Sequence, residues 1–291
     1  MEGELRQFGG VFDGVAAQYD AVRPSYPPEL VDAAIAAGSL DGSSAVLEIG
    51  SGTGKLTELL VGRGLRVHAV EPGANLVEVA QQRLGSPDAA EFEIARFEDA
   101  QLPEGGFDAV FSATAFHWVE PAIGWPKVAD VLADGGLLAL LAHIAVHDDR
   151  SAAMEVQMVE VVRKHAPGTG LDWSLPPTLE SVLAVAREQS PNASAVWDGI
   201  MSSGRHSLEL PEAAGLFTDV NVKAILERQE QTADEVLAHL HTTSFWFMLE
   251  PESRKPFEAA YRKLIEDNGG TYKFCDAAVL MTAKKAPRAL P

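Results

Sequence analysis

Glu48-Ile49-Gly50-Ser51-Gly52-Thr53-Gly54 leaves a short apolar run, Ala45 to Ile49, and enters a segment with Leu56, Leu59, Leu60 and Arg63 at helical spacing. A glycine cluster between a strand and a helix is where backbone can approach a ligand closely. A nucleotide P-loop requires a glycine, four residues, then Gly-Lys and Ser or Thr. Gly54-Lys55 is present, but Ile49 and Leu56 fill the outer positions. A dinucleotide fingerprint, Gly-x-Gly-x-x-Gly, places Lys55 where the third glycine belongs. What remains is an acidic residue two positions before Gly-x-Gly-x-Gly.

Outward from this loop, short apolar strands alternate with helical patterns. Arg66–Val70 reads as a second strand ending at Glu71-Pro72, followed by Leu76, Val79, Ala80 and Arg83 at helical spacing. Glu91–Ala95 and Phe107–Ser112 read as further strands, Ile123–Leu132 as a helix and Gly136–Ala142 as a fifth strand. Strands apolar on both faces and alternating with helices imply a parallel sheet covered on two sides. Right-handed crossovers then give an α/β, doubly wound sheet, with ligands beyond the carboxyl ends of its strands. Upstream, Pro27-Pro28 opens a helix over Glu29–Ala37.

After Ala142 the rhythm breaks. Helical patterns around Met154–Lys164 and Leu179–Glu188 suggest a helical lid over residues 143–215. Phe217–Leu226 resumes as a strand, Thr232–Leu249 as a helix with an aromatic end, and Tyr272–Ala283 as a final strand. The expected organisation is an N-terminal cover and cofactor-binding half over 1–142, the lid over 143–215, and completing strands and helix over 216–291.

Lys plus Arg total 23 and Asp plus Glu 42 in 291 residues, a formal charge of −19. A nucleic-acid binder carries a basic stripe, so neither nucleic acid nor an anionic membrane is an expected partner. Gly135–Val146, the longest apolar run, is too short to span a bilayer and carries His143. Cys275, the single cysteine, cannot form an intrachain disulfide, and Met1–Arg6 has no secretory apolar core. A cytoplasmic protein is expected, as monomer or homodimer.

The acidic-x-Gly-x-Gly-x-Gly loop, with Glu71 placed 21 residues after Gly50, resembles the class I S-adenosylmethionine-dependent methyltransferases. The likeness leans toward their small-molecule branch, which includes ubiquinone-biosynthesis and trans-aconitate methyltransferases. It covers residues 8–142 well and 216–285 loosely. Tyr19-Asp20-Ala21-Val22-Arg23-Pro24-Ser25-Tyr26-Pro27 is similar to the family's leading Tyr-Asp-x-x-Arg-Pro-x-Tyr-Pro segment. The resemblance implies a seven-stranded mixed sheet, strand seven antiparallel beside strand five, and S-adenosyl-L-methionine as cofactor. It implies that Glu48 supports the cofactor's ammonium, that Gly50, Ser51 and Gly52 let the backbone pass against it, and that Glu71 accepts the ribose hydroxyls. Pro72, Leu76, Phe97 and Glu98 (or Asp99) would border the adenine, with Ala113, Tyr19 and Arg23 completing the cofactor set.

Methyl transfer is an in-line displacement at an already activated carbon, so much of catalysis is alignment and exclusion of water. The Asn/Asp-Pro-Pro-Tyr of enzymes that methylate adenine or glutamine is missing; Ser112-Ala113-Thr114-Ala115-Phe116-His117-Trp118 stands there instead. A small-molecule acceptor, methylated on a hydroxyl or carboxylate oxygen, is expected. A hydroxyl gains from a general base, most often histidine, and His117 is the candidate. Trp118, His143, Trp173 and Trp246 are candidates for acceptor contact. His143 and His147 are four apart but lack a third ligand, so no metal is expected. Two rival readings are a protein that binds the cofactor without transferring methyl and an NAD-linked oxidoreductase, the latter disfavoured by Lys55 and Glu48.

Overall fold

The computed structural model describes residues 12–86, 88, 90–166, 174–202 and 210–287. Seven strands, β1 (Ala45–Ile49), β2 (Arg66–Val70), β3 (Ala90–Glu93), β4 (Phe107–Ala113), β5 (Leu132–Ala145), β6 (Phe217–Thr232) and β7 (Thr271–Lys285), form one sheet in the order β3-β2-β1-β4-β5-β7-β6. β3, β2, β1, β4 and β5 are mutually parallel. β7 runs against β5. The Lys285 amine at the end of β7 donates to the Leu132 carbonyl at the start of β5, while the Val146 amide just past β5 donates to the Cys275 carbonyl near the start of β7. The sheet is therefore the mixed, doubly wound one that the resemblance implied.

Two compact units divide the chain. The first comprises residues 24–144, 182–225 and 278–291, and the second residues 1–23, 145–181 and 226–277, each in its described part. These cuts fall elsewhere than the 1–142, 143–215 and 216–291 segments. Helix α1 (Ala16–Val22) belongs to the second unit. In the first unit, helices α2 (Pro28–Gly38), α3 (Lys55–Val61), α4 (Ala74–Leu84) and α5 (Pro121–Val131) accompany the strands. Leu30 and Val31 of α2, Leu56 and Leu60 of α3, Val46 of β1 and Phe111 of β4 form one buried cluster with Leu137, Ala139 and Leu141 of β5. The alternate residues of β5 in that cluster share one face of the sheet.

The second unit resumes with α6 (Ala152–His165). Helices α7 (Leu179–Gln189) and α8 (Ala193–Met201) follow in the chain and fall mainly within the first unit. Helices α9 (Ala233–Leu240), α10 (Ser244–Met248) and α11 (Pro251–Asp267) come between β6 and β7, in the second. Met154, Met158 and Val162 of α6 cluster with Val236 and Leu240 of α9, Phe257 and Ile265 of α11, and Tyr272 of β7.

The helix expected over 232–249 is two helices. Thr232 opens α9 with a capping box shared with Glu235, and Thr243 caps α10 by accepting from the Trp246 amide. A second N-cap, within the polar stretch His241 to Ser244, starts a new helix where the first has ended. α8 and α11 were not anticipated. α8 is buried at seven of its nine positions, so it lacks the polar face that marks an amphipathic helix.

The glycine loop and the segment after β4 meet at one point. Gly50 has φ +70°, and a Cβ built there would lie 2.3 Å from the Ala115 Cβ. Gly50→Ala therefore adds both strain and a clash with a partly buried neighbour. It should cost about 2–4 kcal/mol, read as a lowered urea midpoint with unchanged m-value.

Candidate functional site

The strand order reverses between β1 and β4, which makes their carboxyl ends the switch point where doubly wound sheets bind ligands. The loop from Gly50 to Gly54 leaves β1 there. Gly50, Gly52 and Gly54 all have positive φ, a conformation that side chains other than glycine resist. A Cβ at Gly54 would meet Ala80 of α4 at 2.9 Å, so that glycine serves helix packing. A Cβ at Gly52 would meet open space. The loop thus presents its middle glycine to a space that a ligand could occupy.

Two carboxyl groups stand at this loop. Glu71 follows β2 and is 6% exposed. Its Oε2 accepts from the Gly52 amide at 3.0 Å and its Oε1 from the Gly73 amide at 2.9 Å. A carboxylate oxygen carries two lone pairs and can accept more than one hydrogen bond. Glu48, on β1, is 1% exposed and accepts one hydrogen bond, 2.7 Å from the Thr57 hydroxyl of α3. Burial raises its pKa, the Thr57 bond lowers it and the Glu71 charge raises it again, to about 7. The Ser51 and Thr53 hydroxyls are buried without a hydrogen-bond partner. Buried polar groups normally find one, so the loop has the chemistry of an incomplete binding site.

The opposite wall is the segment after β4. Thr114 has φ +51°, strained for a β-branched residue. Its amide donates to the Leu141 carbonyl at 2.8 Å, and its hydroxyl shares a 2.7 Å hydrogen bond with the Tyr26 phenol. The Tyr26 ring stacks on His143 with centroids 5.0 Å apart. Ala113 is half-buried at the end of β4. His117 lies in the short 3-10 turn Phe116–Trp118, its ring 4.7 Å from that of Trp118. Its Nδ1 is buried without a partner, and burial pushes its pKa down to about 4. At neutral pH this imidazole is uncharged.

The remaining candidates are placed as follows. Pro72 is exposed and Leu76 buried at the start of α4. Phe97 is buried, with the Lys127 amine 5.1 Å from its ring centroid. Glu98 accepts from the Arg96 guanidinium at 3.0 Å and the Glu120 amide at 3.1 Å. Partial burial raises its pKa, but the amide and Arg96 bonds more than offset this, leaving it lowered. Tyr19, Arg23 and Trp246 belong to the second unit. There Arg23 lies over the Tyr19 ring and donates to the Thr242 hydroxyl and carbonyl. Trp246 packs against His241 and carries the Arg254 guanidinium 5.4 Å from its centroid. Trp173 lies outside the described residues. Sequence reasoning missed Thr57 and Thr114. Thr57 lies just beyond the glycine loop, on the helix that follows it, but nothing in its residue type singles it out.

Fold and loop together define a class: the Rossmann-like fold of the class I methyltransferases. Residues 47–140 match the family model of the methyltransferase domain, so over this segment the chain carries the domain that the sequence resemblance implied. An uncharacterized methyltransferase of Mycobacterium bovis is 41% identical over 130 residues, covering 45% of this chain and 51% of the relative. One from Geobacillus thermodenitrificans is 31% identical over 148 residues, covering 50% and 65%. The chain thus spans about half the length of the first curated relatives it matches. Among solved structures, a type II methyltransferase candidate from Anaeromyxobacter dehalogenans superposes with a TM-score of 0.56 at 20% identity, covering 91% of this chain and 97% of that one. The [4+2]-cyclase SpnF superposes with a TM-score of 0.52 at 16% identity, covering 97% and 96%. These likenesses establish the fold. Among the described residues no helix is long and apolar enough to cross a membrane, and no group of three or more His, Cys, Asp or Glu could hold a metal ion.

The raised Glu48 pKa has a consequence for stability. The folded protein holds the Glu48 proton to about pH 7, whereas the unfolded chain releases it near 4.5. The folded state therefore binds more protons between these values, and stability falls as pH rises through that window. Glu48→Gln removes this dependence. From pH 5 to 8 the variant should gain on the wild type by on the order of 2 kcal/mol, measured by urea unfolding at both pH values.

Proposed function

We propose that this chain binds S-adenosylmethionine at the carboxyl ends of β1, β2 and β4 and transfers its methyl group to an oxygen, hydroxyl or carboxylate, of a small-molecule acceptor. The observation that carries the reading is Glu71, held by the Gly52 and Gly73 amides beside the open face of Gly52. A carboxylate so oriented suits two neighbouring hydroxyls, as on a ribose. The unpartnered Ser51 and Thr53 hydroxyls fit a polar ligand in the same loop.

When bound, the cofactor supplies a methyl group on a cationic sulfur. Glu48 would hold its ammonium, Gly50, Ser51 and Gly52 its amino-acid and ribose portion, and Glu71 the ribose diol. Pro72, Leu76, Phe97 and Glu98 would border the adenine, and Ala113 the side toward the acceptor. The assignments of Tyr19, Arg23, Trp173 and Trp246 rest on the sequence alone. His117, uncharged at neutral pH but with its pKa held down to about 4, is too weak a base to take the proton of a hydroxyl; it would accept that hydroxyl's hydrogen bond and orient it, a service that a carboxylate does not require. Trp118 and His143 would contact the acceptor, and the 143–215 segment would help select it.

Calorimetric titration with S-adenosylhomocysteine, with NAD in parallel, tests the cofactor claim. Tight one-to-one binding of the former alone is expected, weakened about 100-fold in Glu71→Ala through loss of charge-assisted hydrogen bonds. Absence of binding would sink the reading. Labelled cofactor should then deliver methyl to members of a panel of small acids and phenols. His117→Ala should slow transfer to phenols about tenfold, through loss of one orienting hydrogen bond, and leave S-adenosylhomocysteine affinity unchanged. Bound cofactor with no transfer to any acceptor would point to binding without turnover.

A further inference from the structure

Glu48 and Glu71 are both buried at the same loop, but they are supported differently. Glu71 receives two backbone amides. Glu48 receives one neutral hydroxyl, from Thr57, and no salt bridge among the described residues. Its partners across the sheet, Ala69 on β2 and Phe111 on β4, are neutral. The charged group that acts on it is Glu71, of the same sign. A carboxylate in such surroundings is costly unless a cation pairs with it or a proton neutralises it.

We propose that Glu48 makes this site a proton-exchanging receptor for an ammonium group: the ligand's cation enters as the Glu48 proton leaves. This rests on the reading of the loop as a cofactor site. The exchange balances, since neutral Glu48 plus a ligand ammonium gives a carboxylate–ammonium pair and one proton released to solvent. Burial and Glu71 raise the Glu48 pKa and Thr57 lowers it, so the exchange falls in the physiological range. His117, held near 4, does not titrate there. Binding of an amino-acid-bearing ligand is thereby coupled to pH, whereas a nucleoside lacking the ammonium is not.

The test is calorimetry of the full chain with S-adenosylhomocysteine in buffers of different ionisation enthalpy. At pH 6.5 binding should release about three quarters of a proton, and affinity should rise about tenfold from pH 6 to pH 8. 5′-Methylthioadenosine, which lacks the amino-acid portion, should release none. Glu48→Gln should abolish the release, and Thr57→Val should move the rise in affinity to higher pH. S-adenosylhomocysteine binding without proton release, or release that persists in Glu48→Gln or equally with 5′-methylthioadenosine, overturns the proposal while leaving the cofactor site standing. No binding of S-adenosylhomocysteine at any pH removes the cofactor site itself, and the proposal with it.

Discussion

The parallel pairing of β1 with β4 determines where the site groups stand. Glu48 lies opposite Phe111 and Ile49 opposite Ser112, so the two strands end level with each other. The Ser112 hydroxyl donates to the Ile49 carbonyl at 2.7 Å and ties the two ends together. From that tie the chain departs in two directions, into the glycine loop and into Thr114-Ala115. Gly50 can then lie against Ala115 only because it has no side chain. A one-residue slip would move Glu48 to the other face of the sheet, away from Thr57.

The strain at Thr114 follows from the same junction. The segment after β4 must turn sharply to pass Gly50, and a threonine adopts the left-handed conformation to do so. Two hydrogen bonds hold it, one to Leu141 on the neighbouring strand and one to Tyr26. Such strain persists when surrounding structure over-determines it, and it concentrates at functional sites. Tyr26 thereby links the segment before α2 to the carboxyl ends of β4 and β5, where His143 stacks on its ring.

The parallel core was legible because its strands are apolar on both faces and the glycine loop marks one crossover. The loop's spacing also separated this site from phosphate-binding ones. Residues whose importance comes from a partner were not legible. Thr57 matters because Glu48 faces it, and Thr114 because of its backbone conformation, and neither is visible in residue type or period. The break before Thr243 is marked in the sequence by four consecutive polar residues, His241 to Ser244, but apolar residues resume directly after them and the cap that starts the second helix is a single hydroxyl. α11 was hidden by its charged surface and by Pro256 near its start.

The excess of 42 acidic over 23 basic residues does not by itself describe the site. Three carboxyl groups near the crevice are stabilised in three ways. Glu98 has a guanidinium and an amide, and its pKa is lowered. Glu71 has two amides. Glu48 has one hydroxyl and is raised to about 7. The balance of burial against the local donor set, rather than the net charge, decides the states of Glu98 and Glu48. The second unit obeys the same rule: burial raises Glu155 to about 7 and Asp276 to about 6, despite the Tyr272 bond to the one and the Arg23 charge near the other. At neutral pH the crevice therefore combines an uncharged imidazole with a carboxyl group poised to ionise. A Glu48 that keeps its proton spares the folded protein a permanently buried and unpaired ion.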